Sequence, residues 1–382
     1  MEVKLIENIT EIDSGLWNSL AGTDYPFIRH EFLEALELSG PVSQQTGWRA
    51  RHLLVYDQGI LVALMPLYLK FHSQGEYVFD QQWAKAHQQS DLLYYPKWLT
   101  AIPFTPCQGA RIVIRNGLDA APIIALIMAF MQQSSESHGI SSWHCLFAKA
   151  QQAQQLSSAG LSLRVGVQFQ WRNQNYRDFN DYLDSFTASK RKQVKRERKR
   201  AAEQDIVFEQ IGGASASDRH WRVFFEFYQM TYLKRGMRPY LNLDFFQKLA
   251  VVMPEQLLLI LAIKNHRYIG AALSLVGADT LYGRYWGCFE EYHSLHFETC
   301  YYQGLDYCLS HGLKNFDSGA QGEHKIARGF EPVYTYSAHW IKDPELAQAI
   351  DRFVTQERQA IEVYKEDAAS HLPFKHQPEN SN

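Results

Sequence analysis

Two kinds of apolar spacing alternate along the chain, and the alternation comes round twice. Glu31-Phe32-Leu33-Glu34-Ala35-Leu36 carries apolar side chains at helical spacing. His52 to Tyr56 and Ile60 to Leu69 then read as a hairpin about Asp57-Gln58-Gly59. Glu76 to Phe79 is expected as a third strand, Ala120 to Ser134 as a helix and Ser142 to Phe147 as another strand. The same order returns downstream. A helix at Asp244 to Leu249 leads to a hairpin, Leu257 to Ile263 and Tyr268 to Val276, about Lys264-Asn265-His266-Arg267. A strand at Thr280 to Trp286, a helix at Phe297 to His311 and a strand at Asn315 to Ser318 follow. Each half closes on an alternating run, Gly160 to Trp171 and Gly329 to Trp340. This order predicts an α+β fold, mixed sheets flanked by helices, used twice.

The repeat places one domain at 1–177 and a second at 178–365 that begins with a basic helix. The first half alone carries an insertion at about 81–115, rich in Gln, Tyr and Pro, expected as a functional loop, a lid or a packing flap. The tail 366–382, with Pro373 and Pro378 among polar neighbours, is expected to be disordered.

Composition narrows the function classes. With 382 residues, 46% hydrophobic and 21% charged, the chain is globular and long enough for two cores. A net charge of −3 argues against a surface that coats nucleic acid or anionic membrane, so any anion site is local. The longest apolar runs, Ile123 to Phe130 and Leu257 to Ile263, fall well short of the roughly 20 residues that span a bilayer. Acidic residues stand at the N-terminus where a signal peptide is basic, so a cytoplasmic protein is expected. Five cysteines without a C-x-x-C pair, and histidines without H-E-x-x-H, give no reason to expect a metal.

Three segments carry candidate chemistry. In the run from Ser189 to Arg200, eight of the last eleven residues are basic. The run has helical propensity, with Ser189 as the expected N-cap, yet its cations crowd the first turn, where the helix dipole disfavours them. Lys190, Arg191 and Lys192 at a helix N-terminus therefore form a candidate phosphate site. A solvated helix face or an electrostatic linker fits the same run equally well.

In the segment Asn315 to Phe330, Asp317 ends a strand, glycines permit a tight path, and Glu323, His324 and Lys325 follow in succession. Acyl transfer to an amine needs a group to take the ammonium proton and positive charge facing the developing oxyanion. Lys325 suits the second task, and Glu323, His324 or Asp317 the first. A plain glycine-rich turn is the alternative. In the segment His72 to Asp80, Glu76 and Asp80 share one face of the expected strand, roughly 13 Å apart. His72, Glu76 and Asp80, with Arg284 on the face shared by Tyr282 and Trp286, and Arg328, are the candidate substrate contacts; polar edge residues at Glu76 and Asp80, and a row that packs at Tyr282 to Trp286, are the alternatives.

Six motifs carry a resemblance. They are H-S-x-G-E-Y-V-F-D at His72 to Asp80, Y-Y-P-K at Tyr94 to Lys97, P-F-T-P at Pro103 to Pro106, S-x-R-K at Ser189 to Lys192, Y-G-R-Y-W-G at Tyr282 to Gly287, and G-A-Q-G-E-H-K-x-x-R-G-F at Gly319 to Phe330. With them the sequence resembles the FemAB-like family of predicted N-acyltransferases over nearly its whole length. The resemblance implies two tandem acyl-CoA N-acyltransferase-like (GNAT) domains. More distantly the chain is similar to Fem-type peptidyltransferases, which extend peptidoglycan precursor bridges with aminoacyl-tRNA and use a lysine late in the second domain. By that likeness Lys325 is its counterpart. Pro103 to Arg111 stands where a GNAT protein keeps its pyrophosphate-binding loop, without the second glycine. The implied co-substrate is acyl-CoA or aminoacyl-tRNA, and the implied acceptor an amine on a small molecule or a peptidoglycan precursor. A non-catalytic protein that binds a phosphorylated ligand or tRNA is the competing expectation.

Overall fold

The computed structural model describes residues 1–320 and 322–375, and the backbone falls into two compact units, each drawing on separate stretches of chain. The first comprises Met1–Val167, Tyr240–Leu249 and Tyr334–Val363; the second Gln168–Pro239, Ala250–Val333 and the chain from Tyr364.

In the first unit Glu2–Ile6, His52–Asp57, Ile60–Met65 and Val113–Ile114 form one antiparallel sheet. The chain bends after Met65, and Tyr68–Lys70 pairs instead with Trp48–Ala50 and Lys97–Thr100. Lys97–Thr100 in turn lies parallel to Ser142–Ala148, which pairs antiparallel with the 336–341 end of the strand Glu331–Ile341. The helix Ala120–His138 covers the core. Asp119 caps it by accepting from the Ala121 N–H, worth about 1 kcal/mol, and Gly139 ends it in the left-handed region. Its Ile123, Ile124, Ile127, Met128 and Met131 are buried, each worth roughly 1.5–3 kcal/mol on transfer from water.

The insertion has structure of its own. It holds the helix Gln81–Gln89 and the strand Lys97–Thr100, and Trp83 of that helix packs on Leu346, Ile350 and Val354. Glu76 to Phe79, expected as a strand, is irregular, and Lys97–Thr100 takes the third-strand place.

In the second unit Ile206–Gly212, Leu257–Lys264, Arg267–Val276 and Thr280–Cys288 run antiparallel in sequence order. Asn315–Asp317 then joins parallel to Thr280–Tyr282, and its other edge pairs with Gln170 to Arg172. The helix Asp218–Leu233 lies so close to the sheet that a Cβ on Gly287 would stand 1.8 Å from the Phe227 carbonyl oxygen, which leaves only glycine there. The helical stretch from Leu295 to Ser310 contains a π-turn at Glu298–Tyr302. The basic helix runs Ala188–Ala202 with Thr187, not Ser189, at its N-cap. At the C-terminus, where disorder is expected from 366, the helix Pro344–Ser370 continues, and Phe374 bridges to Phe186. Residues 376–382 lie outside the described ones. Among the described residues no helix is long and apolar enough to cross a membrane.

Candidate active site

In the second unit the parallel pairing of Thr280–Cys288 with Asn315–Asp317 stops at Tyr282 and Asp317, so the strands part just where the glycine-rich segment begins. Asp317 is buried. Its Oδ1 accepts from the Gly319 N–H at 3.0 Å and its Oδ2 from Gln170 Nε2 at 3.3 Å. Gly319, at φ +92°, directs its carbonyl to the ammonium of Lys325, which donates to it at 2.7 Å. Asp317 and Lys325 thus hold the two faces of one peptide turn, and Lys325 is 1% exposed.

Lys325 lies on the 3-10 helix Glu323–Arg328, which is fixed at its far end. The Arg328 guanidinium donates to the His324 carbonyl at 2.5 Å and to Glu197 Oε2 at 2.8 Å, and stacks 3.4 Å from the Phe297 ring centre. Glu197 Oε2 also accepts from the Tyr302 hydroxyl, and its Oε1 from Gln193 Nε2 at 3.0 Å. The Tyr182 hydroxyl donates to the Arg328 carbonyl at 2.6 Å. A Cβ on Gly329 (φ +80°) would stand 2.0 Å from that hydroxyl oxygen, so the residue after Arg328 has to be glycine.

His324 Nε2 meets the Tyr301 hydroxyl at 2.8 Å. Burial, then Arg328 and Lys325, hold the His324 imidazole below its usual range. The adjacent His296 is pushed down to about 4 by burial and then by His324 and the same two cations. Both rings are therefore neutral near pH 7, and a neutral imidazole can take a proton. Glu323 is directed elsewhere. Its Oε1 accepts from the Tyr364 hydroxyl at 2.9 Å, on the wall of a cavity that does not include Lys325. Of the four expected catalytic residues the structure joins Asp317 to Lys325 through Gly319, sets His324 beside Tyr301 and His296, and separates Glu323 from them.

The expected phosphate trio is dispersed, because successive residues on an α-helix point about 100° apart. Lys190 lines the same cavity as Glu323. Arg191 donates to Asp184 Oδ1 at 2.8 Å, and Lys192 is exposed. Lys195, Arg196 and Lys199 continue the exposed face that Lys192 begins. Arg284 occupies a β-bulge: the register with the neighbouring strand slips where Leu273 faces Tyr285 and Ser274 faces Gly283. The extra residue interrupts the alternation that Tyr282, Arg284 and Trp286 were expected to share.

In the first unit Glu76 and Asp80 do not stand apart on a strand. The loop brings both to one ammonium: Lys97 Nζ donates to Ser73 Oγ at 2.8 Å, Glu76 Oε2 at 2.8 Å and Asp80 Oδ2 at 2.5 Å. All three N–H bonds of a fully buried lysine are thereby used. Burial pulls Lys97 down, but Glu76 and Asp80 outweigh it and its pKa is raised. Burial likewise pushes Asp80 up, and its contacts with Lys97 and Tyr94 bring it below the ordinary value. Burial keeps Glu76 raised despite Lys97. Beyond Asp80 a hydrogen-bonded chain continues. The Tyr94 hydroxyl donates to Asp80 Oδ2 at 2.6 Å and lies 3.2 Å from His144 Nε2, and His144 Nδ1 is 2.8 Å from His339 Nδ1. His72 stays outside this group, with Nε2 2.9 Å from the Thr46 carbonyl and its ring over Gly47.

Sequence reasoning singled out neither Lys97 nor Glu197. The available signals were the lysine that ends Y-Y-P-K and the one acidic residue within a basic run. Among the described residues no group of three or more His, Cys, Asp or Glu side chains is placed to hold a metal ion.

This architecture has known counterparts. The structure of FemX superposes with a TM-score of 0.53 at 13% identity, covering 92% of this chain and 100% of that one. The C-terminal DUF2156 domain of a putative lysylphosphatidylglycerol synthetase from Agrobacterium fabrum gives 0.54 at 10% identity, covering 91% and 97%. A tandem GNAT protein from the clavulanic acid biosynthesis pathway gives 0.48 at 10%, covering 90% and 99%. At these identities the likeness to FemX and to the synthetase domain is one of fold alone, mixed sheets flanked by helices as expected. No curated protein matches the sequence at a significant level. The family model FemAB-like, described as peptidoglycan biosynthesis/recognition, matches residues 8–376, and the chain belongs to that family.

Proposed function

We propose that the chain transfers an acyl or aminoacyl group to an amine and that the reaction centre lies in the second unit. The observation that carries this reading is the turn Asp317–Gly319–Lys325 at the point where two parallel strands part, with the neutral imidazole of His324 close by. In the reaction the acceptor ammonium gives a proton to His324, and the free amine attacks the carbonyl carbon of the donor. Lys325 stabilises the oxyanion, and the donor oxygen or sulfur leaves with a proton as the amide forms. The family description favours an acceptor from the cell-envelope precursors.

Two features favour aminoacyl-tRNA over acyl-CoA as donor. A pyrophosphate needs a turn of free N–H groups. In the first unit Arg111 fills the corresponding segment, donating to the carbonyls of Leu146 at 2.7 Å and Cys107 at 2.5 Å. In the second unit the strand-to-helix turn reads Phe289-Glu290-Glu291-Tyr292-His293-Ser294, with two carboxylates and no glycine. The exposed cations Lys192, Lys195, Arg196 and Lys199 suit a polyanion instead.

Lys325→Ala should lower transfer from aminoacyl-tRNA by about 100-fold or more while leaving tRNA affinity near wild type. Wild-type turnover in a folded Lys325→Ala protein refutes the assignment. A wild-type protein that binds tRNA and turns over neither donor class establishes the non-catalytic reading. Changing Lys192, Lys195, Arg196 and Lys199 together to Ala should weaken tRNA binding and reduce the slope of log K against log salt by about 3. An unchanged slope removes this helix from the donor surface.

A further inference from the structure

The second unit contains a cavity of about 310 Å³ whose walls include neither Asp317 nor Lys325, built from three elements. The first turn of the basic helix gives Lys190, the site helix gives Glu323, Ile326 and Ala327, and the last turns of the C-terminal helix with the residue after it give Tyr364, Asp367, Ala368 and His371. Its volume is at the lower end of the range for small-molecule sites, about 300–1,000 Å³.

The polar groups on these walls are sorted by sign. The basic helix gives the Lys190 ammonium, in the first turn of a 15-residue helix whose Thr187 makes no side-chain cap. Both put positive charge on that wall. The site helix and the C-terminal helix give the carboxylates of Glu323 and Asp367, the latter near the negative end of a 27-residue helix. His371 Nδ1 is 2.8 Å from the Asp367 carbonyl oxygen and must donate to it, so in the neutral ring Nε2 is an acceptor. The Tyr364 hydroxyl donates to Glu323 and fixes that carboxylate. Ile326, Ala327 and Ala368 supply an apolar floor.

Two carboxylates and a helix C-terminus, set against one lysine and a helix N-terminus, oppose a phosphate dianion. A cation alone leaves Lys190 without a counter-charge. A ligand with an ammonium and a carboxylate on the same carbon satisfies both walls at once. We propose that this cavity binds the zwitterionic end of an α-amino acid, free or carried on a longer chain as in 2,6-diaminopimelic acid, with its carboxylate on Lys190 and its ammonium on Glu323 and Asp367. The assignment rests on the cavity and is independent of the transfer reaction.

Calorimetric titration of the full chain tests it, with alanine and 2,6-diaminopimelic acid as probes. Alaninamide, N-acetylalanine and inorganic phosphate are the comparisons. At least one zwitterion should bind saturably below about 10 mM, with the three comparisons about tenfold weaker or worse. Lys190→Met and Asp367→Asn should each weaken that binding about tenfold. Alanine binding identifies the free amino acid as sufficient, and binding of diaminopimelic acid alone identifies the carried form. Absence of saturable binding by both zwitterions overturns the proposal. So does phosphate or alaninamide binding as tightly as the zwitterions, or affinity indifferent to both substitutions. None of these outcomes bears on the Lys325→Ala turnover test, so the two readings fail separately.

Discussion

Lys97→Met should destabilise the first unit by about 3–5 kcal/mol, the cost of breaking a buried ion cluster from one side. The ammonium is fully buried, and the two carboxylates it serves are also buried. Removing it strands like charges beside one another in a medium where neither can recruit water. Glu76 Oε1 and Asp80 Oδ1 are already buried without a hydrogen-bond partner, and the other cation that acts on them, Lys70, is itself held down to about 7 by burial. Neutralising the whole cluster should behave differently. Lys97→Met combined with Glu76→Gln and Asp80→Asn should recover much of the stability, because neither carboxylate keeps a charge and Lys70, held down to about 7 by burial, sheds its proton readily. Urea denaturation followed by hydrogen exchange of the Lys97–Thr100 and Ser142–Ala148 amides measures both variants. A single substitution costing under about 1 kcal/mol, or a triple variant no better than the single, contradicts the charge argument.

The same cluster marks where sequence reasoning stops. The hairpins at His52–Asp57 with Ile60–Met65 and at Leu257–Lys264 with Arg267–Val276 were legible, because local turns and alternating apolar residues specify them. So were the two closing strands and the basic helix. Glu76 to Phe79 has the aromatic and β-branched residues of a strand, yet Glu76 is called away by Lys97, 21 residues on, which also holds Asp80. Local period carries no information about such a partner. Glu197 is a plainer case. In sequence it interrupts a run of cations, and in the fold it anchors Arg328, 131 residues on. His144 and His339 meet across 195 residues. The site segment was legible as a turn, because its glycines and charges are contiguous. Its division, with Lys325 facing Gly319 and Glu323 facing Tyr364, follows from the face each residue takes on a short 3-10 helix.

The first unit should also lose stability steeply as pH falls below 6.5. Burial holds His144 and His339 well below the ordinary histidine value. Lys97, His339, His87 and Arg164 add to the effect at His144, and Arg164 and Lys97 add to it at His339, where Asp80 opposes them. The folded state therefore keeps both rings neutral while the unfolded chain protonates them near 6.5. Below that value the unfolded state binds more protons, so stability is fully present above about 6.5 and falls with pH. The unfolded chain sets the limit, and two such groups remove no more than about 2 kcal/mol between pH 6.5 and 5.5. Asp80, whose folded pKa is depressed, loses its contribution in a lower window, as pH drops through its folded value beneath 3.8. Glu76, raised by burial, acts in the opposite sense, because the folded state takes up its proton first. The histidine share is isolated by comparison with His144→Asn/His339→Asn, since asparagine keeps a polar atom near the Nδ1 position without titrating. The wild-type slope of unfolding free energy against pH, read from exchange of the Ser142–Ala148 amides, should exceed that of the double variant below pH 6.5, by up to two protons. Equal slopes would mean that these rings, although buried beside Lys97 and Arg164, protonate as readily in the folded unit as in the open chain.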